Sequence, residues 1–202
     1  MRVLLWSMFF WSLGLIIGQN SLFADSLKES NWKIIGSMGV TISNGKSPEA
    51  NIESRGAGGG AFFGISAMNF NTSDVIIEPS IRYFTAKSRD FDTIKRDKCD
   101  VLASFIQPAI KIKANFFPHN EDFRLYPYVG GGFAFMTQIT TNNERLKPDP
   151  DGTIFRFLCG IDIILINKIN VGLEYGSYSY TFSMDRPYEF SYTWIGSIGF
   201  VF

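Results

Sequence analysis

From Asn31 to Phe202 the chain repeatedly alternates apolar with polar or small residues at period two. That is the period of a strand with two unlike faces, and no stretch there carries the 3.6-residue repeat of an amphipathic helix. Eight such stretches are predicted: Asn31–Ile42, Arg55–Met68, Val75–Ala86, Val101–Phe116, Arg124–Ile139, Ile154–Leu165, Ile169–Phe182 and Phe190–Phe202. Their connections alternate in length. Long polar ones fall at Ser43–Ser54, Lys87–Asp100, Thr140–Thr153 and Ser183–Glu189, and short ones at Asn69–Asp74, Phe117–Phe123 and Ile166–Lys168. This rhythm is that of an all-β, eight-stranded antiparallel up-and-down meander, with tight turns at one end and loops at the other.

The two faces differ in kind. In the sixth stretch Phe155, Phe157, Cys159, Ile161, Ile163 and Leu165 oppose Ile154, Arg156, Leu158, Gly160, Asp162 and Ile164. In the third, Val75, Ile77, Pro79, Ile81 and Tyr83 oppose Ile76, Glu78, Ser80, Arg82 and Phe84. The polar face therefore mixes charges with glycine and other small residues. Exposed strands of a soluble sheet favour Thr, Lys, Glu and Ser, and glycine weakens them. A crowded interior suits glycine better. Lys33, Glu78, Arg82, Lys111, Lys113, Arg156, Asp162 and Glu174 are then expected to form a lumen network of both signs, since an unpaired buried charge is costly. The opposite face is nearly free of charge for about ten residues per strand, the span of a tilted strand across a bilayer. Pro79, Pro108 and Pro127 remove ladder donors, and local bulges are expected there.

Trp and Tyr gather near strand ends, among them Trp32, Tyr83, Tyr126, Tyr178, Tyr192 and Trp194. Membrane interfaces enrich such rings, as does β-propensity alone. Met1–Ala24 reads as a secretory signal peptide, with Arg2 ahead of an apolar core and a small residue before Asp25; 25–202 is the barrel domain. The formal net charge is zero over 202 residues, so the basic face of a nucleic-acid binder is missing. Cys99 and Cys159 fall on non-neighbouring strands and are read as free thiols.

The runs "IIEPSIRYF", "YPYVGGGFAF", "VGLEYGSYSY" and the closing "IGSIGFVF" resemble the eight-stranded bacterial outer-membrane barrels of the OmpA, OmpX and opacity-protein type. The resemblance implies an outer-membrane location, lipid and lipopolysaccharide around the barrel, and both termini in the periplasm. It also implies that Trp194, Ile198, Phe200 and Phe202 form a C-terminal signal read by the outer-membrane assembly machinery. Where that pattern usually has glycine, five residues before the terminal aromatic, this chain has Ser197, with Gly196 and Gly199 nearby.

Chemistry finds little support. Gly45-Lys46-Ser47 imitates the tail of a phosphate loop, but Gly39 is one residue too far away and Pro48 follows directly. "GAGGGAFFG" at Gly56–Gly64 continues as an alternating strand, unlike a dinucleotide loop. His119 is the lone histidine, in a short polar turn, so a Ser–His hydrolase pair is not expected. No metal or cofactor is expected. Asn71-Thr72-Ser73 matches a glycosylation sequon, and "ERLKPDPDG" at Glu144–Gly152 lacks an ordered cation-ligand spacing.

Lys87–Asp100 holds five basic and four acidic residues. Lys87, Arg89, Lys95, Arg96 and Lys98 are the candidate surface contacts, to lipopolysaccharide phosphates or a host ligand. The reading is a non-catalytic outer-membrane barrel, its lumen filled by side chains, with a structural or adhesive role. Two alternatives make opposite demands. A soluble lipocalin-like barrel needs Phe155, Phe157 and Ile161 inside, and a lipid-modifying enzyme needs a reactive constellation on the barrel.

Overall fold

The computed structural model describes residues 32–46, 52–69, 75–117, 120, 122–142, 153–182 and 189–202. The leader, His119, Ser47, the Asn71 sequon and the Glu144–Gly152 loop lie outside them. Eight strands follow in chain order: β1 (Trp32–Lys46), β2 (Ile52–Asn69), β3 (Val75–Asp92), β4 (Asp97–Ala114), β5 (Phe123–Thr141), β6 (Thr153–Leu165), β7 (Ile169–Phe182) and β8 (Glu189–Val201). They form one closed barrel in sequence order. Closure runs through β1 and β8, antiparallel from Ile35↔Val201 to Lys46↔Glu189. Ile34 and Phe202 exchange both backbone hydrogen bonds, at 3.2 and 2.8 Å. A closed barrel leaves no edge, so every ladder donor and acceptor can be met where water is absent.

Burial settles which face is inside. Phe157 is 54% exposed and Ile161 46%, while Arg156 is 0% and Asp162 3%. The charged phase is the interior and the apolar phase the exterior. That removes the soluble ligand-binding barrel, which requires the reverse. Tyr192, Trp194, Ile198, Phe200 and Phe202 lie on the outer phase of the closing strand, and Thr193 and Ile195 are buried within.

Two expectations need correction. The ladder passes Pro79↔Ile110 and Pro127↔Ile161 without a shift, and the register is the same on both sides of Pro108. A proline removes one donor, but a bulge needs an extra residue. The shifts fall elsewhere, at Asn44/Gly45, Ser54/Gly56, Gly58/Phe62, Ser104/Phe105 and Phe155/Arg156. Second, Lys87–Asp100 is not a loop. β3 and β4 continue as a regular ladder to Asp92↔Asp97, leaving a turn of Thr93–Arg96. Arg96 takes a positive φ of 55° there. Asp92 fixes the turn by accepting the N–H groups of Ile94 and Lys95, each at 2.9 Å.

At the other end of the barrel, Leu165–Lys168 closes β6 to β7 in a tight turn. The Lys168 N–H donates to the Leu165 carbonyl at 3.0 Å. Ile166 and Asn167 both have φ of 52°, the left-handed region of the hairpin turns that match strand twist.

Candidate functional site

The interior is layered, and the layering can be followed along single strands. On β3 the inward residues run Ile76, Glu78, Ser80, Arg82, Phe84 and Ala86. On β6 they run in the opposite sense, Ile154, Arg156, Leu158, Gly160, Asp162 and Ile164. Apolar residues thus stand at both ends of a charged middle. Toward the loop end, Phe62, Phe84, Val101, Phe105, Met136 and Ile154 are packed together among other buried residues. The Phe84 and Phe105 rings stack at 5.1 Å. Toward the turn end, Ile35, Met68, Ile76, Tyr126 and Ile164 form a second apolar layer.

Between them lie seven charged side chains. Glu174 is the hub. Its carboxylate accepts from Arg82 at 2.5 Å, from the Tyr128 hydroxyl at 3.0 Å and from Arg156 at 3.2 Å. Lys113 donates to Asp162 at 2.5 Å and stands 2.6 Å from Glu78. Lys111 is held more loosely. Its Nζ is 3.5 Å from Glu174, 3.8 Å from Glu78 and 3.9 Å from Asp162, and it lies 4.4 Å from the centre of the Tyr128 ring. A cavity of about 20 Å³ lies beside it, lined by Ser37, Ser66, Ser80, Ser197 and Asn170 among others. That is room for roughly one water.

Four cations therefore face three carboxylates. Neutral groups take up the excess. Gln107 accepts from Arg82 at 2.8 Å and from Arg156 at 3.3 Å, and the Thr193 carbonyl accepts from Arg156 at 3.2 Å. The Arg156 guanidinium also lies over the Phe84 ring at 4.9 Å and the Tyr178 ring at 5.6 Å. Gly176 makes its crossing feasible, because a Cβ there would run into the Arg156 guanidinium.

Of the eight residues assigned to the lumen network from sequence, the layer holds seven. Lys33 is the exception. It shares the inward phase of Ile35 but is exposed near the start of β1. Alternation gives the phase of a side chain, not its height in the barrel. Gln107 and Tyr128 also belong to the layer; Tyr128 is one of the strand-end rings by sequence, but the structure sets it inside. Their signal was weak, being neutral polar groups on the charged phase. Among the described residues no three His, Cys, Asp or Glu are grouped to hold a metal. Neither cysteine is in a disulfide; Cys99 is buried and Cys159 exposed.

At the loop end, the extended β3–β4 hairpin carries the candidate contacts. Arg89, Lys95, Arg96 and Lys98 are exposed, and Lys87 pairs with Asp100 at 3.0 Å. On the inner phase Asp90 is 3% and Asp92 1% exposed, and Ser88 donates to Asp90 at 2.6 Å.

A closed barrel with an apolar exterior and an ion-paired interior defines an integral membrane barrel. The sequence model of the outer membrane protein beta-barrel domain matches residues 13–197, and the chain belongs to that family. Its location is accordingly the outer membrane. Among solved structures it is similar to the outer membrane protein OprG of Pseudomonas aeruginosa, at 11% identity and a TM-score of 0.52. That match covers 86% of this chain and 97% of the other. Weaker likenesses are to Ail, the attachment invasion locus protein of Yersinia pestis, solved with the heparin analogue sucrose octasulfate (13% identity, TM-score 0.44, 85% and 99% covered), and to the N-terminal barrel domain of Pseudomonas aeruginosa OprF (13%, 0.44, 86% and 98%). At these identities the OprG likeness concerns the fold. A comparison with curated protein sequences gives no match.

Proposed function

We propose that this outer-membrane barrel is a non-catalytic envelope protein that acts through its loop end, with the loops outside the cell and both termini in the periplasm. The observation that carries the reading is the pair of apolar layers enclosing the charged layer. A lumen closed at two levels offers no path for solutes. Its carboxylates are committed to lysine and arginine partners at 2.5–3.9 Å, which disfavours acid–base chemistry on a bound substrate. What remains for contact with other molecules is the surface, and the β3–β4 hairpin extends beyond the apolar exterior of β3 to its Thr93–Arg96 turn. An adhesive or envelope-stabilising role fits such a scaffold. A rigid barrel holds the hairpin, and the charge network holds the barrel.

The test is topological and chemical together. Ile94 sits exposed in the hairpin turn. An Ile94→Cys variant on intact cells is expected to react with a membrane-impermeant maleimide, whereas the unmodified chain, with Cys99 buried and Cys159 on the lipid-facing phase, is not. Lipid A from cells with and without the protein is expected to have the same acyl-chain masses. Labelling only after the cells are broken would overturn the orientation, and a changed acylation pattern would overturn the non-catalytic reading.

A further inference from the structure

The Lys87–Asp100 segment is close to neutral by sequence, with five bases against four acids. Strand phase sorts these charges. Asp90 and Asp92 turn inward and are buried. Lys87, Arg89 and Lys98 turn outward with Asp100, and the turn adds Lys95, Arg96 and Asp97. The pairs Lys87↔Leu102, Arg89↔Asp100 and Phe91↔Lys98 share the outer face. The two strands therefore show three cations to one carboxylate on that face, three to two with Glu53 of β2 opposite Phe91, and the turn region adds two to one. Charge that cancels along the chain does not cancel in space.

Height places this face against the membrane. The outer phase of β3 is Val75, Ile77, Pro79, Ile81, Tyr83 and Thr85 before Lys87 is reached. Each residue of a tilted strand climbs roughly 2.5 Å along the membrane normal, so Lys87 stands about 30 Å above Val75, against an apolar band of about 25 Å. Arg89 is about 5 Å higher, and Lys98 opposite Phe91 about 5 Å higher again. On β4 the corresponding outer phase descends through Leu102, Ser104, Ile106, Pro108, Ile110 and Ile112 into the same band. The basic face is thus continuous with the lipid-facing surface and begins where hydrocarbon ends.

We propose that the outward face of this hairpin, Lys87, Arg89 and Lys98, binds the phosphate groups of the outer-leaflet lipid that surrounds the barrel. The inference rests on the orientation proposed above. The chemistry is that of cations at a phosphate-bearing surface, with long aliphatic stems lying over the edge of the apolar band. Burial of Asp90 and Asp92 keeps carboxylates away from the phosphates. Asp100 positions Lys87, and Glu53 of β2, exposed opposite Phe91, is the other carboxylate near Arg89 and Lys98 on that face.

The experiment titrates the folded barrel in mild detergent with a fluorescent, phosphorylated lipid A. Each cation near such a surface is worth about five-fold in binding, so Lys87→Gln/Arg89→Gln/Lys98→Gln is expected to weaken it on the order of 100-fold, and Arg89→Gln alone about five-fold. Lipid A stripped of its phosphates should bind the unmodified barrel as weakly as phosphorylated lipid A binds the triple variant. Inorganic phosphate at equal excess should not displace the lipid. Heat-dependent gel mobility confirms that each variant is folded. The proposal is overturned by folded variants that bind within two-fold of the unmodified chain, by equal binding of dephosphorylated lipid A, or by displacement with inorganic phosphate. Surface labelling of Ile94→Cys together with any of these results would leave the orientation standing and remove only the lipid contact. Labelling from the periplasmic side alone would remove both.

Discussion

Replacing Glu174 by glutamine tests the energetic logic of the interior. The substitution keeps the shape and removes one of three carboxylates, leaving four cations facing Glu78 and Asp162. An amide also turns a donor toward either Arg82 or Arg156, both now within 3.2 Å of the carboxylate. Removing one partner of a buried pair costs about 3–5 kcal/mol, because the remaining charge stays desolvated without compensation. The loss is measurable by guanidinium unfolding of the barrel refolded in phospholipid vesicles, read from the fluorescence of Trp32 and Trp194, both exposed. A paired variant sharpens the test. Glu174→Gln with Lys111→Met restores the original excess of one cation, and the two changes should couple favourably by about 1–3 kcal/mol, as expected for contacting residues. A loss under about 1 kcal/mol for Glu174→Gln would refute this reasoning, as would simple additivity in the pair.

Three further outcomes follow from particular positions. Gly176→Val would drive a side chain into the Arg156 guanidinium, which is fixed by Glu174, Gln107 and Thr193. A loss of about 1–3 kcal/mol or more is expected in the same unfolding assay. Ile166 holds a branched side chain at φ 52°, so Ile166→Asn should stabilise the barrel by about 1 kcal/mol, seen as a higher unfolding midpoint. Deleting Glu189–Val201 with Phe202 removes every partner of the outer edge of β1, and membrane insertion should fail, as judged by the lack of heat-dependent mobility in detergent gels.

Much of this fold was legible because period two survives in the sequence wherever one face meets lipid and the other meets ion pairs. Ile161 beside Asp162 and Leu173 beside Glu174 are enough to set the phase of β6 and β7. The sealed ends were harder to see. At Val101–Ala103 and around Ile154 and Phe155 both phases are apolar, so alternation fades where the lumen itself turns hydrophobic. The hairpin was hidden for the opposite reason. From Lys87 to Asp90 both phases are polar, and only burial separates Asp90 from Lys87 and Arg89. Lys33 shows the same limit in another form, since its phase is right and its height places it at the rim.

The claim that the barrel is sealed and acts at its surface is tested most directly by electrical recording of the unmodified protein in a planar lipid bilayer. Two apolar layers with the ion-paired layer between them predict no stepwise conductance at any salt concentration that leaves the barrel folded. Stable, reproducible single-channel steps from the heat-modifiable, folded species would contradict the account.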